Sequence, residues 1–347
     1  MSERDQGQER VGSGSLLPTR ARGDGRRPAM AAFGEGLLEV GIEPELGSEV
    51  LGRGFGGDAA NVAVMAALSG VRSYLLTQIG DDAVGRLLVE FWTERGVDVS
   101  RVAVREQAPT GLYINEGLGF GAHNFEYYRS GSAASRLDPD DVDHDFIRGL
   151  DLLHVTGITL SISDSAAAAA RSAIDSARAA GVTVAFDVNF RPPLGADPEE
   201  ILAIARLADV VLLAQADAEA VIGTSEPEKV LAALGPTPGE VVVTRGASPA
   251  LLVTREAAFS VKPPAVELRN AAGAGDAVAG TYLASRLQGV APAEALVRAV
   301  VAGSLSCGRS GCARSYPSAE EVVRRARESA PAIEADLRRS AVVTSDE

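Results

Sequence analysis

Short, continuously apolar segments of strand length recur along this chain of 347 residues, each separated from the next by a segment with helical spacing. The clearest are VTVAFDV, ADVVLLA and EVVVTRG, which begin at positions 182, 208 and 240. Runs without polar alternation fit strands that are buried on both faces, as parallel sheets require. Alternation of such strands with helices predicts a doubly wound α/β domain with a mainly parallel sheet.

Two regions interrupt this alternation, and we interpret them as a small β lid. Residues 36–55 and 109–135 carry short alternating runs, such as TGLYIN and NFEYYRS, broken by glycines. Such runs are typical of half-exposed antiparallel strands, and insertions at the carboxyl ends of strands commonly form lids. Residues 1–28 are polar and glycine-rich, which predicts a disordered tail without a secretory signal. Residues 29–335 would form the folded domain and residues 336–347 a flexible C-terminus.

Charge and apolar content exclude several classes of protein. The 33 basic and 47 acidic residues give a net charge of −14, whereas nucleic-acid affinity comes largely from basic residues that neutralise phosphates. The sequence has no apolar stretch long enough to span a membrane. The two cysteines, Cys307 and Cys312, cannot build a disulfide scaffold or a four-ligand metal site, and we interpret them as core thiols. We predict a cytoplasmic protein with neither nucleic-acid nor membrane partners.

Lysine is almost absent from the chain. Its two lysines, Lys229 and Lys262, neither follow a GxxxxG loop nor lie in a VAIK-like strand. A P-loop nucleotide-binding protein and a protein kinase are therefore excluded, because both place a lysine on the phosphates of the bound nucleotide.

The segment Asn270-Ala-Ala-Gly-Ala-Gly-Asp276 precedes a helical pattern. Small residues at the start of a helix let successive N–H groups point to one spot, which favours anion binding. Asp276 would lie in the first turn, where it could accept a hydroxyl proton while the amides stabilise a phosphoryl group. The alternative is an ordinary N-cap aspartate after a glycine turn.

A second glycine cluster, Gly52-Arg-Gly-Phe-Gly-Gly57, leads into a helix with Asn61 in its first turns. It matches the GxGxxG dinucleotide fingerprint formally, but the preceding SEVL is too short and polar for the required strand. Two interpretations remain, a glycine backbone that a small polar ligand approaches closely and a plain strand-to-helix turn.

Polar residues also follow the apolar run VTVAF, in Asp187-Val-Asn-Phe-Arg191. Ligands of open α/β sheets bind beyond the carboxyl ends of the strands, and Arg191 could bind a carboxylate or phosphate through two hydrogen bonds. The alternative is a turn with a surface arginine. Tyr127, Tyr128 and Arg129 in the lid are candidates for substrate contact or for a packed aromatic edge. The three histidines show no metal-ligand spacing.

Taken together, these motifs resemble the ribokinase-like (PfkB) carbohydrate kinases. GGDAANVAVMAALSG is similar to the family's N-terminal Gly-Gly/Asn signature, NAAGAGDAVAGTYL to its C-terminal DTxGAGD signature, and DVNFRPPL to its DxNxR segment. TGLYINE, EYYRSGSAAS and LLHVTGITL are most similar to 2-keto-3-deoxygluconate kinases. The resemblance implies transfer of phosphate from ATP, with Mg²⁺, to a sugar acid, giving 2-keto-3-deoxygluconate 6-phosphate, in a homodimer joined through the lid.

The resemblance also implies roles for individual residues. Substrate contacts would come from Gly56, Gly57, Asn61, Tyr113, Tyr127, Arg129, Asn189, Arg191 and Asp276. Asp276 would be the catalytic base, with the amides of Ala274, Gly275 and Asp276 forming the anion site and Gly273 beside them in the catalytic segment. ATP would lie near Thr244, Gly246, Ala274 and Gly275, and Asp217 would hold Mg²⁺ through water. Helix amides and arginine would replace the missing lysine.

Three segments depart from the family pattern. Asn270-Ala271 stands where Asp-Thr is usual, Ala214 and Asp217 stand at the ends of the NxxE segment, and Pro249 replaces a second glycine. They leave the base and the anion site intact, but they put K⁺ activation and the affinities for metal and nucleotide in doubt. The alternatives are another sugar or nucleoside kinase, such as a fructokinase, and a sugar-acid-binding regulator without turnover.

Overall fold

The computed structural model describes residues 26–42, 51–119 and 122–329. Most of the predicted disordered tail and all of the predicted flexible C-terminus lie outside the described residues. The strands are β1 (Ala29–Phe33), β2 (Leu37–Ile42), β3 (Leu51–Gly56), β4 (Arg72–Gly80), β5 (Val102–Arg105), β6 (Leu112–Gly119), β7 (Ala122–Tyr128), β8 (Leu152–Thr156), β9 (Thr183–Asp187), β10 (Val210–Ala214), β11 (Glu240–Thr244), β12 (Ala250–Thr254) and β13 (Ala258–Val261). The helices are α1 (Asp58–Leu68), α2 (Ala83–Glu94), α3 (His144–Arg148), α4 (Gly157–Ser161), α5 (Asp164–Ala179), α6 (Pro198–Ala205), α7 (Gln215–Ile222), α8 (Pro227–Leu234), α9 (Ala274–Leu287), α10 (Pro292–Cys307) and α11 (Ala319–Ser329).

Within the described part of the chain, nine strands form one sheet in the order β13-β12-β11-β10-β9-β8-β1-β4-β5. The strands from β11 to β5 run parallel, and β12 and β13 add an antiparallel edge. Every residue of β1, β8 and β9 is buried, because helices cover both faces of the sheet. One core contains α5, α6 and α8, and two others on the opposite face contain α1, α2, α9 and α10. The predicted doubly wound fold is confirmed.

The lid is a separate sheet in the order β3-β2-β6-β7. Its outer pairs, β3–β2 and β6–β7, are antiparallel as predicted, but the central pair β2–β6 is parallel. The expectation of wholly antiparallel strands is therefore wrong at this pair. Both β2 and β6 leave the main sheet after the carboxyl end of a parallel strand, so they enter the lid in the same direction.

Helix α9 is fixed at its middle and at its last turn. Gly280 lies so close to α1 that a Cβ there would approach the Met65 Cβ to 2.7 Å and the Val62 carbonyl oxygen to 2.9 Å. Near the end of the helix, the Arg286 guanidinium binds the Glu240 carboxylate at 2.6 Å, and the Tyr282 hydroxyl donates to the same carboxylate. These contacts fix the orientation of α9, whose first turn carries Asp276.

Candidate active site

A cavity of about 450 Å³ lies where the carboxyl ends of β1, β9, β10 and β11 meet the lid and the first turns of α1 and α9. This is the edge of an open α/β sheet at which ligands bind. Twelve of the predicted site residues border the cavity, namely Gly57, Asn61, Tyr113, Tyr127, Arg129, Asn189, Arg191, Asp217, Thr244, Gly273, Gly275 and Asp276. The structure therefore brings together segments that are far apart in the sequence.

Three predicted site residues lie outside the cavity wall. Gly56 ends β3, and a Cβ there would approach the Tyr113 hydroxyl oxygen to 2.5 Å, so this glycine makes room for the tyrosine. Gly246 lies in the turn after β11 with φ at +59°. Ala274 begins α9, and its N–H donates to the Ala271 carbonyl at 3.2 Å. This is one of the amides that the sequence assigned to the anion site.

The other residues at the start of α9 form the small-residue helix start that the sequence predicts. Gly273 has φ at +75°, and a Cβ there would meet the Cys312 sulfur at 2.5 Å. Among the described residues, the structure gives no partner to the backbone amides of Gly275 and Asp276. Helix N-termini leave such amides free to bind an anion. Gly275 has open space where a Cβ would project, so a ligand can approach its backbone.

Asp276 lies at the floor of the cavity. Its Oδ2 accepts a hydrogen bond of 2.7 Å from the Asn61 side-chain amide, which also donates to the Cys312 sulfur at 3.3 Å. Burial, together with the neighbouring Asp58 carboxyl, raises the pKa of Asp276 to about 7, against the hydrogen bond from Asn61 and the charge of Arg191. A carboxyl with a pKa near the working pH is suited to general base catalysis.

Two carboxyl groups of the site were not assigned roles from the sequence. Asp58 begins α1, where it accepts from the Thr156 hydroxyl and from the Ala59 amide, and burial raises its pKa. Asp187 ends β9, and burial with the nearby carboxylates of Asp276 and Asp217 raises its pKa well above the usual range. The available signals were positional, since Asp58 follows the glycine pair and Asp187 opens the DVNFR segment.

Arg191 and Asp217 face each other across the outer part of the cavity. The Arg191 guanidinium lies 3.7 Å from the Asp217 carboxylate and is 49% exposed. Asn189, two residues earlier, has φ at +35°, a conformation that asparagine tolerates better than most residues. The Asp217 carboxylate also accepts from the Ala214 amide at 3.4 Å. Its hard oxygens fit Mg²⁺, which is usually held by one or two carboxylates while keeping several waters.

The lid contributes Arg129, Tyr127 and Tyr113. Arg129 lies 4.0 Å from the centre of the Tyr127 ring and donates to the Glu35 carboxylate at 2.7 Å. The Tyr113 hydroxyl donates to Glu39. Glu35, two residues after β1, is a third acid that the sequence did not single out. These contacts turn one face of the lid toward the cavity.

Cys312 differs from its predicted role as a plain core thiol. It is buried, as expected, but it borders the cavity beside Asn61. Burial raises its pKa well above the usual range, so the thiol stays protonated at neutral pH. Cys307 is partly buried at the end of α10, which agrees with a packing role.

No helix among residues 26–42, 51–119 and 122–329 is long and apolar enough to cross a membrane. Residues 47–319 match the model of the pfkB family of carbohydrate kinases. The 2-dehydro-3-deoxygluconokinase of Thermoproteus tenax is 37% identical over 278 residues, which cover 76% of this chain and 83% of the relative. The crystal structure of a PfkB protein from Polaromonas sp. JS666 is 29% identical, with a TM-score of 0.76 over 86% of this chain and 99% of that one.

A second solved structure is the fructokinase of Xylella fastidiosa with bound ATP. It is 25% identical, with a TM-score of 0.80 over 87% of this chain and 99% of that one. Sequence and fold thus agree with the buried Asp276, the free amides at the start of α9 and the two-sheet architecture. The chain belongs to the pfkB family of carbohydrate kinases.

Proposed function

We propose that this carbohydrate kinase transfers the γ-phosphoryl group of ATP to the 6-hydroxyl of 2-keto-3-deoxygluconate, also named 2-dehydro-3-deoxygluconate. The observation that carries the proposal is one cavity that combines a buried base, Asp276, with two cationic side chains, Arg129 and Arg191. The base suits a hydroxyl group as phosphoryl acceptor, and the two arginines suit a substrate that carries a carboxylate. The 37% identity to a kinase of that name supports the same substrate class.

In the proposed mechanism, Asp276 accepts the proton of the sugar hydroxyl as that oxygen attacks the γ-phosphorus. The amides of Gly275 and Asp276 stabilise the negative charge on the transferring group, at the positive end of the α9 dipole. Thr244, at the end of β11, would lie near the nucleotide. Mg²⁺, held through water by Asp217, would neutralise phosphate charge. The lid residues would exclude water that otherwise hydrolyses ATP.

A neutral ketose such as fructose is the second candidate substrate. Five carboxyl groups border the cavity, and they outnumber the two arginines. Carboxylates accept hydrogen bonds from sugar hydroxyls, so this excess favours a neutral polyol over an anion. The values of kcat/KM for 2-keto-3-deoxygluconate, fructose, ribose and a nucleoside, measured by coupled release of ADP, decide between them. A higher value for any neutral substrate than for every sugar acid would contradict the main proposal.

Replacing Arg191 with alanine should raise KM for the sugar acid about tenfold and leave KM for ATP nearly unchanged. A hydrogen bond to a charged group contributes about 1.5–3 kcal/mol, and the lower end applies because Arg191 is half-exposed. Initial rates with each substrate varied at saturation of the other measure the two constants. Arg148→Ala, which removes an exposed arginine paired with Asp145, is the matched control. An equal rise in both constants would contradict the assignment of Arg191 to the sugar acid.

Activation by K⁺ should be weak, with initial rates changing less than about threefold when K⁺ replaces tetramethylammonium at fixed ionic strength. Asn270, which stands where the family pattern has an aspartate, carries no charge. Its Oδ1 already accepts a hydrogen bond from the Ala272 N–H at 2.8 Å. Two unit charges ~4 Å apart interact by about 4 kcal/mol at an effective dielectric constant of 20, so a missing carboxylate weakens cation binding considerably. A tenfold effect that saturates at millimolar K⁺ would show that other oxygens compensate.

The proposal includes a homodimer joined through the lid. Strand β7 exposes three aromatic side chains, Phe125 at 38%, Tyr127 at 49% and Tyr128 at 57%. Aromatic residues are enriched in protein–protein interfaces, and a second lid would cover this strand.

A further inference from the structure

The ion pair between Glu35 and Arg129 is buried in the cavity wall but only half satisfied. Glu35 Oε1 lies 2.7 Å from the Arg129 guanidinium, and the two side chains are 2% and 9% exposed. The second carboxylate oxygen, Glu35 Oε2, and the Arg129 Nε are also buried, and no other described residue hydrogen-bonds to either atom. Buried polar atoms are nearly always paired in native proteins, so these two indicate a ligand that completes the site.

The Arg129 Nε–H is a donor suited to an anionic oxygen, because guanidinium groups bind carboxylates through adjacent N–H groups. A substrate carboxylate placed there would share Arg129 with Glu35. One guanidinium neutralises one carboxylate, and two carboxylates in a shared site cannot both remain ionised without a large cost. Arg191, the other arginine of the cavity, already lies 3.7 Å from the Asp217 carboxylate. Binding of the acid therefore favours the loss of one negative charge beside Arg129.

The groups that face Glu35 favour the loss of this charge at its carboxyl. Arg129 follows β7, Tyr127 lies on β7 itself, and Asp58 begins α1. Burial, together with Asp58, raises the pKa of Glu35 to about 7, although Arg129 opposes the shift. The Glu35 carboxyl therefore titrates near neutral pH before any ligand binds, and an additional anion raises its pKa further.

We propose that Glu35 takes up a proton from solvent when the carboxylate of a sugar acid binds Arg129, so that substrate binding is coupled to protonation. This inference rests on the proposed function. The proton adds to the Glu35 carboxylate, and no covalent bond of the substrate changes. Neutral Glu35 can still accept from Arg129, and its hydroxyl can donate to a substrate oxygen. A neutral sugar brings no second charge and takes up no proton, so Glu35 discriminates between acids and neutral sugars.

Linkage fixes the direction of the pH dependence. Because binding raises the pKa of Glu35, the affinity for the acid is highest below about pH 7 and falls as the pH rises, by at most about tenfold per pH unit. Glutamine at position 35 mimics the protonated side chain at every pH. The variant should therefore bind the acid with an affinity that does not change between pH 6.5 and 8.5.

Isothermal titration calorimetry of the full chain with 2-keto-3-deoxygluconate, without nucleotide, tests the proposal. At pH 8, the binding enthalpy in phosphate, HEPES and Tris buffers should vary with the buffer ionisation enthalpy, with a slope near one proton taken up. Glu35→Gln should abolish this slope. Glu35→Asp keeps a titratable carboxyl and should retain it. Far-UV circular dichroism and thermal melting establish that each variant is folded.

Asp276→Asn is the matched control, because Asp276 also has a pKa near 7 and faces the same cavity. It should retain the slope, which assigns the proton to Glu35. Proton uptake that persists in Glu35→Gln, or binding of the acid without uptake, would overturn the inference while leaving the proposed substrate intact. Absence of binding by any sugar acid, with normal binding of fructose, would overturn the proposed function and this inference together.

Discussion

Asp276→Asn should lower kcat by about 10²–10⁴-fold, the usual contribution of a positioned general base, while leaving the dissociation constants of ATP and sugar within a few-fold. Asparagine keeps the shape of the side chain but cannot accept the hydroxyl proton. Single-turnover measurement of phosphoryl transfer, together with equilibrium binding of each substrate, separates chemistry from binding. Asp164→Asn, an exposed acid in the first turn of α5, is the control for loss of a helix N-terminal charge.

The pH profile gives an independent check on the same residue. Because the pKa of Asp276 is raised to about 7, the base is protonated at lower pH and the rate should rise as the pH passes through that value. The asparagine variant should lose this limb of the profile. Near-normal turnover in Asp276→Asn would remove the residue from the mechanism, and loss of folding would indicate that its main role is to cap α9.

Glu240→Gln should reduce the free energy of unfolding by about 3–5 kcal/mol, the usual cost of leaving one charge of a buried pair without its partner. Glu240 and Arg286 are 1% and 2% exposed, so water cannot replace the lost carboxylate. The Tyr282 hydroxyl, which donates to Glu240 at 2.6 Å, would lose a charged acceptor as well. Urea unfolding followed by tryptophan fluorescence measures the change.

The comparison for this variant is Glu294→Gln, which removes one side of the Arg298–Glu294 pair. That pair lies on α10, with the glutamate 60% exposed, and exposed pairs contribute about 0–1 kcal/mol. Equal loss of stability in the two variants would show that the Glu240 carboxylate does not act through its buried charge. Replacing Glu240 and Arg286 together by apolar residues should cost less than Glu240→Gln alone, because no unpaired charge remains.

The central sheet was predictable because burial on both faces removes the polar alternation from strands such as VVLLA. The placement of Asp276, Asn61 and Arg191 at the cavity was predictable for a different reason. Each lies in a short motif whose local geometry, a helix start or a strand end, restricts where its side chain can point. The structure adds the contact between Asn61 and Asp276, which are 215 positions apart. No local pattern encodes such a contact.

Other parts of the site depend on tertiary geometry alone. Glu35 and Asp58 are single acids beside glycines, and their position in the sequence does not show that their side chains are buried. Their chemistry comes from burial against Arg129 and Thr156, which other elements supply. The parallel pairing of β2 with β6 likewise follows from the direction in which each strand leaves the main sheet. The hydrogen bond from the Ala274 amide to the Ala271 carbonyl is likewise a feature of the turn that the sequence did not indicate.

The close contact of α1 and α9 at Gly280 predicts which parts of this enzyme tolerate substitution and which do not. Asn61 and Asp276 meet through these two helices, so the spacing of the helices sets the distance between the two side chains. Tyr113 and Tyr127, which we propose as substrate contacts, lie on lid strands that pack in their own sheet. Laboratory selection for new sugars should therefore accumulate substitutions around Tyr113 and Tyr127. A larger residue at Gly280 would push the helices apart and abolish every activity at once.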